Sequence, residues 1–200
     1  FEARPANQQT FTVAKPTVAF AGDVATLGAG KHFACARTQD GKVACWGLGT
    51  EGQMGNGAVT PGTGSAAGLV TGLAGTSHGG VGASHACAVL AEGAVKCWGS
   101  ADHAELGNGG AGLSTVPASA VLPDATASVA AGSGFTCALS LLGHVRCWGD
   151  GSKGQGGNGS LGGDIAKPTA VGASASQPGD ACLLKSCDDG DACTTDGCHG

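Results

Sequence analysis

Large aromatics and charge are both scarce in this chain. Tyrosine is absent, methionine occurs once, aromatic residues make up 4% of the 200 positions and charged residues 12%. A disordered polypeptide carries more charge and less apolar material than the 42% found here, so low charge does not signal disorder. No run of twenty apolar residues exists, which leaves no membrane-spanning helix. No basic stripe exists either. A formal charge of -5 and a pI near 5.6 argue against the electrostatic footprint of a nucleic-acid binder.

What is abundant is glycine, at 39 positions, and cysteine, at 10. Glycine at that level among valine and alanine points to many short strands joined by tight turns, an all-β chain. The cysteines come in regularly spaced pairs, the pattern of a disulfide framework, which places the protein in an oxidising setting, extracellular or at a cell surface. The sequence opens on Phe1 with no charged-then-apolar leader, as expected of a segment of a longer protein.

Three copies of one unit account for most of the chain. The first holds Gly30-Lys31-His32-Phe33-Ala34-Cys35 and then Asp40-Gly41-Lys42-Val43-Ala44-Cys45-Trp46-Gly47. The second holds Gly82-Ala83-Ser84-His85-Ala86-Cys87 and Glu92-Gly93-Ala94-Val95-Lys96-Cys97-Trp98-Gly99. The third holds Gly132-Ser133-Gly134-Phe135-Thr136-Cys137 and Leu142-Gly143-His144-Val145-Arg146-Cys147-Trp148-Gly149. Each tryptophan is followed by Gln53, Glu105 or Gln155, and then by Asn56, Asn108 or Asn158 flanked by glycines. The tryptophans, beside a cysteine in matching strands, are expected as core residues of each blade. The asparagines are expected as turn formers that tolerate the left-handed region.

The paired segments around each glycine turn predict a hairpin. A two-residue type I′ loop suits Asp40-Gly41 but not Glu92-Gly93 or Leu142-Gly143, because glutamate and leucine resist positive φ. A three-residue loop, a type I turn closed by a left-handed glycine, suits all three. Counting outward from that loop places Cys35 opposite Cys45, Cys87 opposite Cys97 and Cys137 opposite Cys147. These fall at non-hydrogen-bonded positions, where Cα atoms sit ~4.5 Å apart, at the short edge of disulfide geometry. One staple per hairpin is predicted. Two buried free thiols side by side are the alternative, and zinc is a poorer one, since the spacing within each pair is too wide for a zinc knuckle.

The unit resembles the repeat of the regulator of chromosome condensation family, in the cysteine-bearing form of secreted bacterial proteins, over roughly Val24 to Gly163. The resemblance implies a β-propeller of four-stranded antiparallel blades, here a partial propeller of three, about 24–76, 77–125 and 126–172. Kelch repeats share the period of about fifty but carry a tyrosine that this chain lacks. Only His85 keeps the histidine usual before the first cysteine; Phe33 and Phe135 replace it, and its expected role is structural. The first repeat lacks the proline-valine segment seen at Pro117 to Val121 and Pro168 to Val171, and has a loose glycine-rich stretch, Gly62 to Gly68. Three blades are too few to close a ring, so further blades are expected elsewhere in a longer chain.

Residues 1–20 are expected to end a preceding module or form a linker, with a short strand-like run at Thr10-Phe11-Thr12-Val13. Residues 173–200 are expected as a linker and a small disulfide-rich tail. Its cysteines Cys182, Cys187, Cys193 and Cys198 have undetermined connectivity, since four allow three pairings. Asp188, Asp189, Asp191 and Asp196 offer hard oxygen ligands for calcium, but miss the spacing of an EF-hand loop and are better read as solvated acids.

No nucleophile motif, zinc motif or phosphate loop occurs, so no catalytic residue, resident metal or cofactor is assigned. The resemblance implies a non-catalytic scaffold that binds a protein partner through loops, with Gly57 to Leu69 and Gly109 to Pro117 expected to carry specificity. A structural spacer in a large surface protein and an accessory domain of a secreted enzyme are the alternatives. Non-reducing peptide mass spectrometry tests the register: links 35–45, 87–97 and 137–147 are expected, whereas free thiols or links between repeats exclude it.

Overall fold

The computed structural model describes residues 23–172. Thr10–Val13, the segment from Ala173, the four tail cysteines and Asp188, Asp189, Asp191 and Asp196 lie outside the described residues. The described residues form twelve strands in three antiparallel sheets of four. The first blade is β1 (Val24–Ala29), β2 (Phe33–Thr38), β3 (Val43–Gly49) and β4 (Thr60–Leu69). The second is β5 (Thr76–Val81), β6 (His85–Leu90), β7 (Val95–Gly99) and β8 (Ser114–Ser119). The third is β9 (Thr126–Ala131), β10 (Phe135–Ser140), β11 (Val145–Asp150) and β12 (Asp164–Ala170). Each strand pairs with its sequence neighbours, giving the meander of a propeller blade.

The central hairpin of each blade has the three-residue loop that its sequence requires. Gly41 N–H donates to Thr38 C=O at 3.0 Å while Thr38 N–H donates to Lys42 C=O at 2.9 Å, and the same pair of bonds recurs at Leu90–Ala94 and Ser140–His144. Gly41, Gly93 and Gly143 have φ of 79°, 85° and 86°, the left-handed closure open to glycine. Cys35 faces Cys45, Cys87 faces Cys97 and Cys137 faces Cys147, with Cα separations of 4.1, 4.0 and 4.1 Å and sulfurs at bonding distance. Closing so short a loop removes unfolded-state entropy worth about 3 kcal/mol per bridge.

The first repeat differs from expectation. Its glycine-rich stretch Gly62 to Gly68 lies within β4 rather than in a loose loop. The outer edge of β3 presents N–H and C=O groups that need partners, and a glycine-rich segment supplies them as well as any other. It does so with two shifts of register, between Cys45 and Gly47 and between Gly47 and Gly49.

The core lies between blades rather than inside each one. Phe33, Cys35, Val43, Cys45, Met54 and Val70 of the first blade pack on Ala86, Ala88 and Trp98 of the second. Cys87, Val89, Val95, Cys97 and Leu106 of the second pack on Val129, Ala138 and Trp148 of the third. Trp98 and Trp148 are therefore core residues, but of the seam and not of their own blade, while Trp46 is half-buried and belongs to neither cluster. Trp98 Nε1–H donates to the Gln53 carbonyl at 3.0 Å and Trp148 Nε1–H to the Glu105 carbonyl at 2.6 Å. Each indole lies over a left-handed glycine: a Cβ on Gly55 would sit 2.8 Å from Trp98, and one on Gly107 2.7 Å from Trp148.

His85 is fully buried at the second seam. Its ring occupies the place of Phe33 and Phe135, each lying where a Cβ on Gly82, Gly30 or Gly132 would collide. Thr136 Oγ1–H donates to the Glu105 carbonyl at 3.1 Å, so His85 Nε2–H is the donor in the 2.8 Å bond to Thr136 Oγ1. Nδ1 is then unprotonated and has no partner. Burial lowers the His85 pKa from 6.5 to about 4.

Two outcomes follow for chemical denaturation. Gly107→Ala is expected to cost about 3 kcal/mol, from a left-handed alanine and a clash with Trp148. Gly112→Ala, at φ 95° with nothing within 4 Å of the added Cβ, should cost about 1 kcal/mol from backbone strain alone. In the unfolded chain His85 takes up a proton near pH 6.5, whereas the folded state resists it until about 4. Its contribution is intact above pH 6.5 and falls away by about 3 kcal/mol as the pH drops toward 4. His85→Phe should remove that slope between pH 7 and 4.

Candidate functional site

The two ends of the propeller differ. One carries the tight β2–β3, β6–β7 and β10–β11 turns. The other carries the short turns at Gly30, Gly82 and Gly132 and the long connections 50–59, 100–113 and 151–163. These are tied together by backbone bonds from Leu48 N–H to His32 C=O, Ser100 N–H to Ser84 C=O and Asp150 N–H to Gly134 C=O, at 2.9, 2.9 and 2.7 Å.

Every long connection starts on the same frame. The side chains of Gln53, Glu105 and Gln155 accept the backbone N–H of Glu51, His103 and Lys153 at 2.8, 2.8 and 2.7 Å. Asn56, Asn108 and Asn158 then accept the N–H of Ala58, Gly110 and Ser160 at 3.1, 2.9 and 3.0 Å. The asparagines form turns, but not by the route expected. Positive φ belongs to the flanking glycines Gly55, Gly57, Gly107, Gly109, Gly157 and Gly159, and the asparagines act through the side-chain oxygen, as in an Asx turn.

Beyond the asparagine the three loops diverge. The stretches Gly57 to Leu69 and Gly109 to Pro117, expected as variable loops, are partly taken into β4 and β8. That leaves tips 57–59 and 109–113. A third tip, 159–163, stands at the same end; its sequence signal is Ser160-Leu161-Gly162-Gly163 inserted before the last strand. Each tip exposes one large aliphatic side chain: Val59 is 45%, Leu113 49% and Leu161 83% exposed.

Charge gathers where the second and third blades meet. His103 Nδ1 lies 3.0 Å from an Asp164 oxygen. Asp150 accepts the Ser152 N–H at 2.8 Å and the Gln155 Nε2–H at 3.1 Å. The bond to Asp164 raises the His103 pKa, with the charges of Asp164, Glu105 and Asp150 adding to it. The bonds from Ser152 and Gln155 lower that of Asp150. Burial raises the pKa of Glu105, which stands where the other repeats have neutral glutamine. Among the described residues, His103, Asp150 and Asp164 are the set whose ligand atoms approach within 4.8 Å of one another. No sequence motif announced them, because His103 and Asp164 meet only across a seam.

Concavities are modest. A shallow hollow of about 370 Å³ at the axis is lined by Ala29, Gly30 and Lys31 and their counterparts Val81 to Ala83 and Ala131 to Ser133. A cleft of about 50 Å³ between the first two blades is bordered by Cys35, Arg37, Val81 and Trp98. The six cysteines of the hairpins are bonded to each other, and the His85–Thr136 pair faces the buried seam rather than either opening.

The sequence model of the regulator of chromosome condensation (RCC1) repeat matches residues 24–53 and 127–155, the first three strands of blades one and three as far as Gln53 and Gln155. No curated protein matches the chain in sequence. Among solved structures, Prp20p from Saccharomyces cerevisiae, described with its binding to Gsp1p and histones, is 23% identical with a TM-score of 0.66 over 74% of this chain and 38% of its own. Human WBSCR16 is 23% identical with a TM-score of 0.68 over 76% of this chain and 39% of its own. Yeast RCC1 (Prp20) with Kap60 bound gives 24%, 0.66, 74% and 37%. The chain thus spans well under half the length of these structures. Residues 24–53 and 127–155 are thus matched as regulator of chromosome condensation repeats, and the described residues share the propeller-blade fold of these structures.

Proposed function

We propose that this chain is a non-catalytic scaffold that binds a protein partner through the loop end of its blades, outside the cytoplasm. The carrying observation is the set of exposed aliphatic tips Val59, Leu113 and Leu161, one per blade, each following a loop frame fixed by its own hydrogen bonds. A solvent-facing apolar residue on a rigid turn loses little entropy when a partner covers it, which favours recognition. The His103–Asp164 pair between two tips adds a polar element suited to the rim of such an interface.

Two further considerations support the reading. The solved structures of the same fold include Prp20p, described with its binding to Gsp1p and histones, and its complex with Kap60, so the fold serves protein contacts in those proteins. Fold alone does not carry a partner across, and the acidic balance of this chain gives no basis for a chromatin role. Three hairpin disulfides fit an oxidising compartment.

The test is crosslinking capture from native surroundings with the wild-type chain and with Val59→Ser/Leu113→Ser/Leu161→Ser. A protein retained reproducibly by the first and lost from the second is expected. Equal retention by both, or none by either, overturns the reading in favour of a structural spacer.

A further inference from the structure

The loop end carries one arrangement that the blades do not repeat. At the seam between the second and third blades, His103 Nδ1 lies 3.0 Å from Asp164 Oδ1, and Asp150 completes a set whose ligand atoms all fall within 4.8 Å of one another. The Asp150 carboxylate is held by the Ser152 N–H at 2.8 Å and the Gln155 Nε2–H at 3.1 Å, one bond to each oxygen. A carboxylate oxygen offers two acceptor positions, so each keeps room for a further partner.

A buried carboxylate faces the same space. Glu105 is 3% exposed; its Oε2 accepts the His103 N–H at 2.8 Å, and no donor among the described residues reaches Oε1. That oxygen borders the gap over Gly134, where an added Cβ would lie 3.9 Å from it, 3.5 Å from the His103 ring and 3.5 Å from Asp150 Cβ. Three carboxylates therefore surround one imidazole, and among the described residues no lysine or arginine pairs with any of them. A buried carboxylate without a countercharge is costly, and a cation is the partner it lacks. The first seam supplies the contrast. Glu51, Gln53, Ser84 and Ser100 stand there at the positions of His103, Glu105, Gly134 and Asp150. They offer no imidazole and no buried acid, and the Gln53 amide satisfies Glu51 at 3.3 Å.

We propose that His103, Asp150 and Asp164, with Glu105 behind them, bind a divalent cation of zinc-like chemistry between the second and third blades. Imidazole combined with carboxylates is a borderline donor set that suits zinc, whereas calcium and magnesium take oxygen ligands. Two donors on a tetrahedral zinc, each at about 2.0–2.2 Å, lie roughly 3.3 Å apart. His103 and Asp164 already stand 3.0 Å apart, joined by a proton whose place the metal takes. Their side chains are 52% and 45% exposed and free to close on an ion. Glu105 Oε1 or a water supplies the fourth position. The ion ties the 100–113 connection to the start of β12 and clamps the seam at its loop end. The site is independent of the aliphatic tips and of any protein partner.

Calorimetric titration of zinc chloride into the chelator-treated 200-residue chain near neutral pH tests the site. Zinc uptake with a dissociation constant below about 100 µM is expected, so that about 1 mM zinc raises the thermal midpoint and chelator reverses the rise. His103→Gln and Asp164→Asn should each weaken one equivalent of that uptake by about tenfold or more and remove most of the rise. Both alter half-exposed side chains, so circular dichroism should be unchanged. Glu51→Gln, at the counterpart of His103 in the first seam, should bind zinc like wild type. Calcium chloride at the same concentration should leave the midpoint where it was. No zinc uptake by the wild type overturns the proposal and leaves His103 and Asp164 as an ion pair. Equal uptake by the wild type and both variants overturns it as well, and assigns the metal to other histidines or to the tail. A calcium response as large as that to zinc overturns the choice of metal.

Discussion

The indole of one blade seated on a left-handed glycine of the next, with its N–H on a buried carbonyl, is the contact on which the remaining packing depends. It fixes the separation of the blades at Trp98 over Gly55 and Trp148 over Gly107. It satisfies carbonyls of Gln53 and Glu105 that water cannot reach. It also explains why the frame loop is glycine-rich: those positions combine positive φ with a gap too narrow for a Cβ. Flanking residues then need only be apolar and of suitable size, and Phe33, His85 and Phe135 occupy equivalent places.

A single blade could not hold itself together on these terms. Its strands are short, many of its residues are alanine or glycine, and its buried apolar residues form clusters shared with a neighbour. The hairpin disulfides compensate by removing entropy from the unfolded chain, where a thin sheet has little hydrophobic area to set against it. They also line the seams, since Cys35, Cys45, Cys87 and Cys97 belong to the inter-blade clusters. Staple and seam are thus one device: the bridge that fixes the hairpin register also presents a flat apolar surface to the next blade.

The loop end separates two tasks. Up to the asparagine, each connection repeats a hydrogen-bonded frame that serves the seam; beyond it, length, sequence and charge are free to differ. Glu105 marks the boundary, because it keeps the frame's geometry with a carboxyl group that burial discourages from ionising, where glutamine serves elsewhere. The His103–Asp164 pair is a variation of another kind, since His103 stands in the frame where the other repeats have Glu51 and Lys153, and Asp164 opens β12.

The local pattern was determined by the sequence. Strands, turn type, cysteine register and repeat boundaries depend on residues within a few positions of each other, and a left-handed glycine next to alternating apolar residues admits few other conformations. The β4 strand was not legible, because a glycine-rich segment has no side-chain preference and pairs only when a neighbouring edge demands it. The left-handed conformation was assigned to Asn56, Asn108 and Asn158 instead of their glycines, because the indole above each loop was not visible in the chain order. Tertiary structure alone decided which blade each tryptophan serves, which tips reach solvent together, and that His103 meets Asp164. All of these are contacts across a seam, between residues far apart in sequence, and only the packing of one blade on the next brings them within reach.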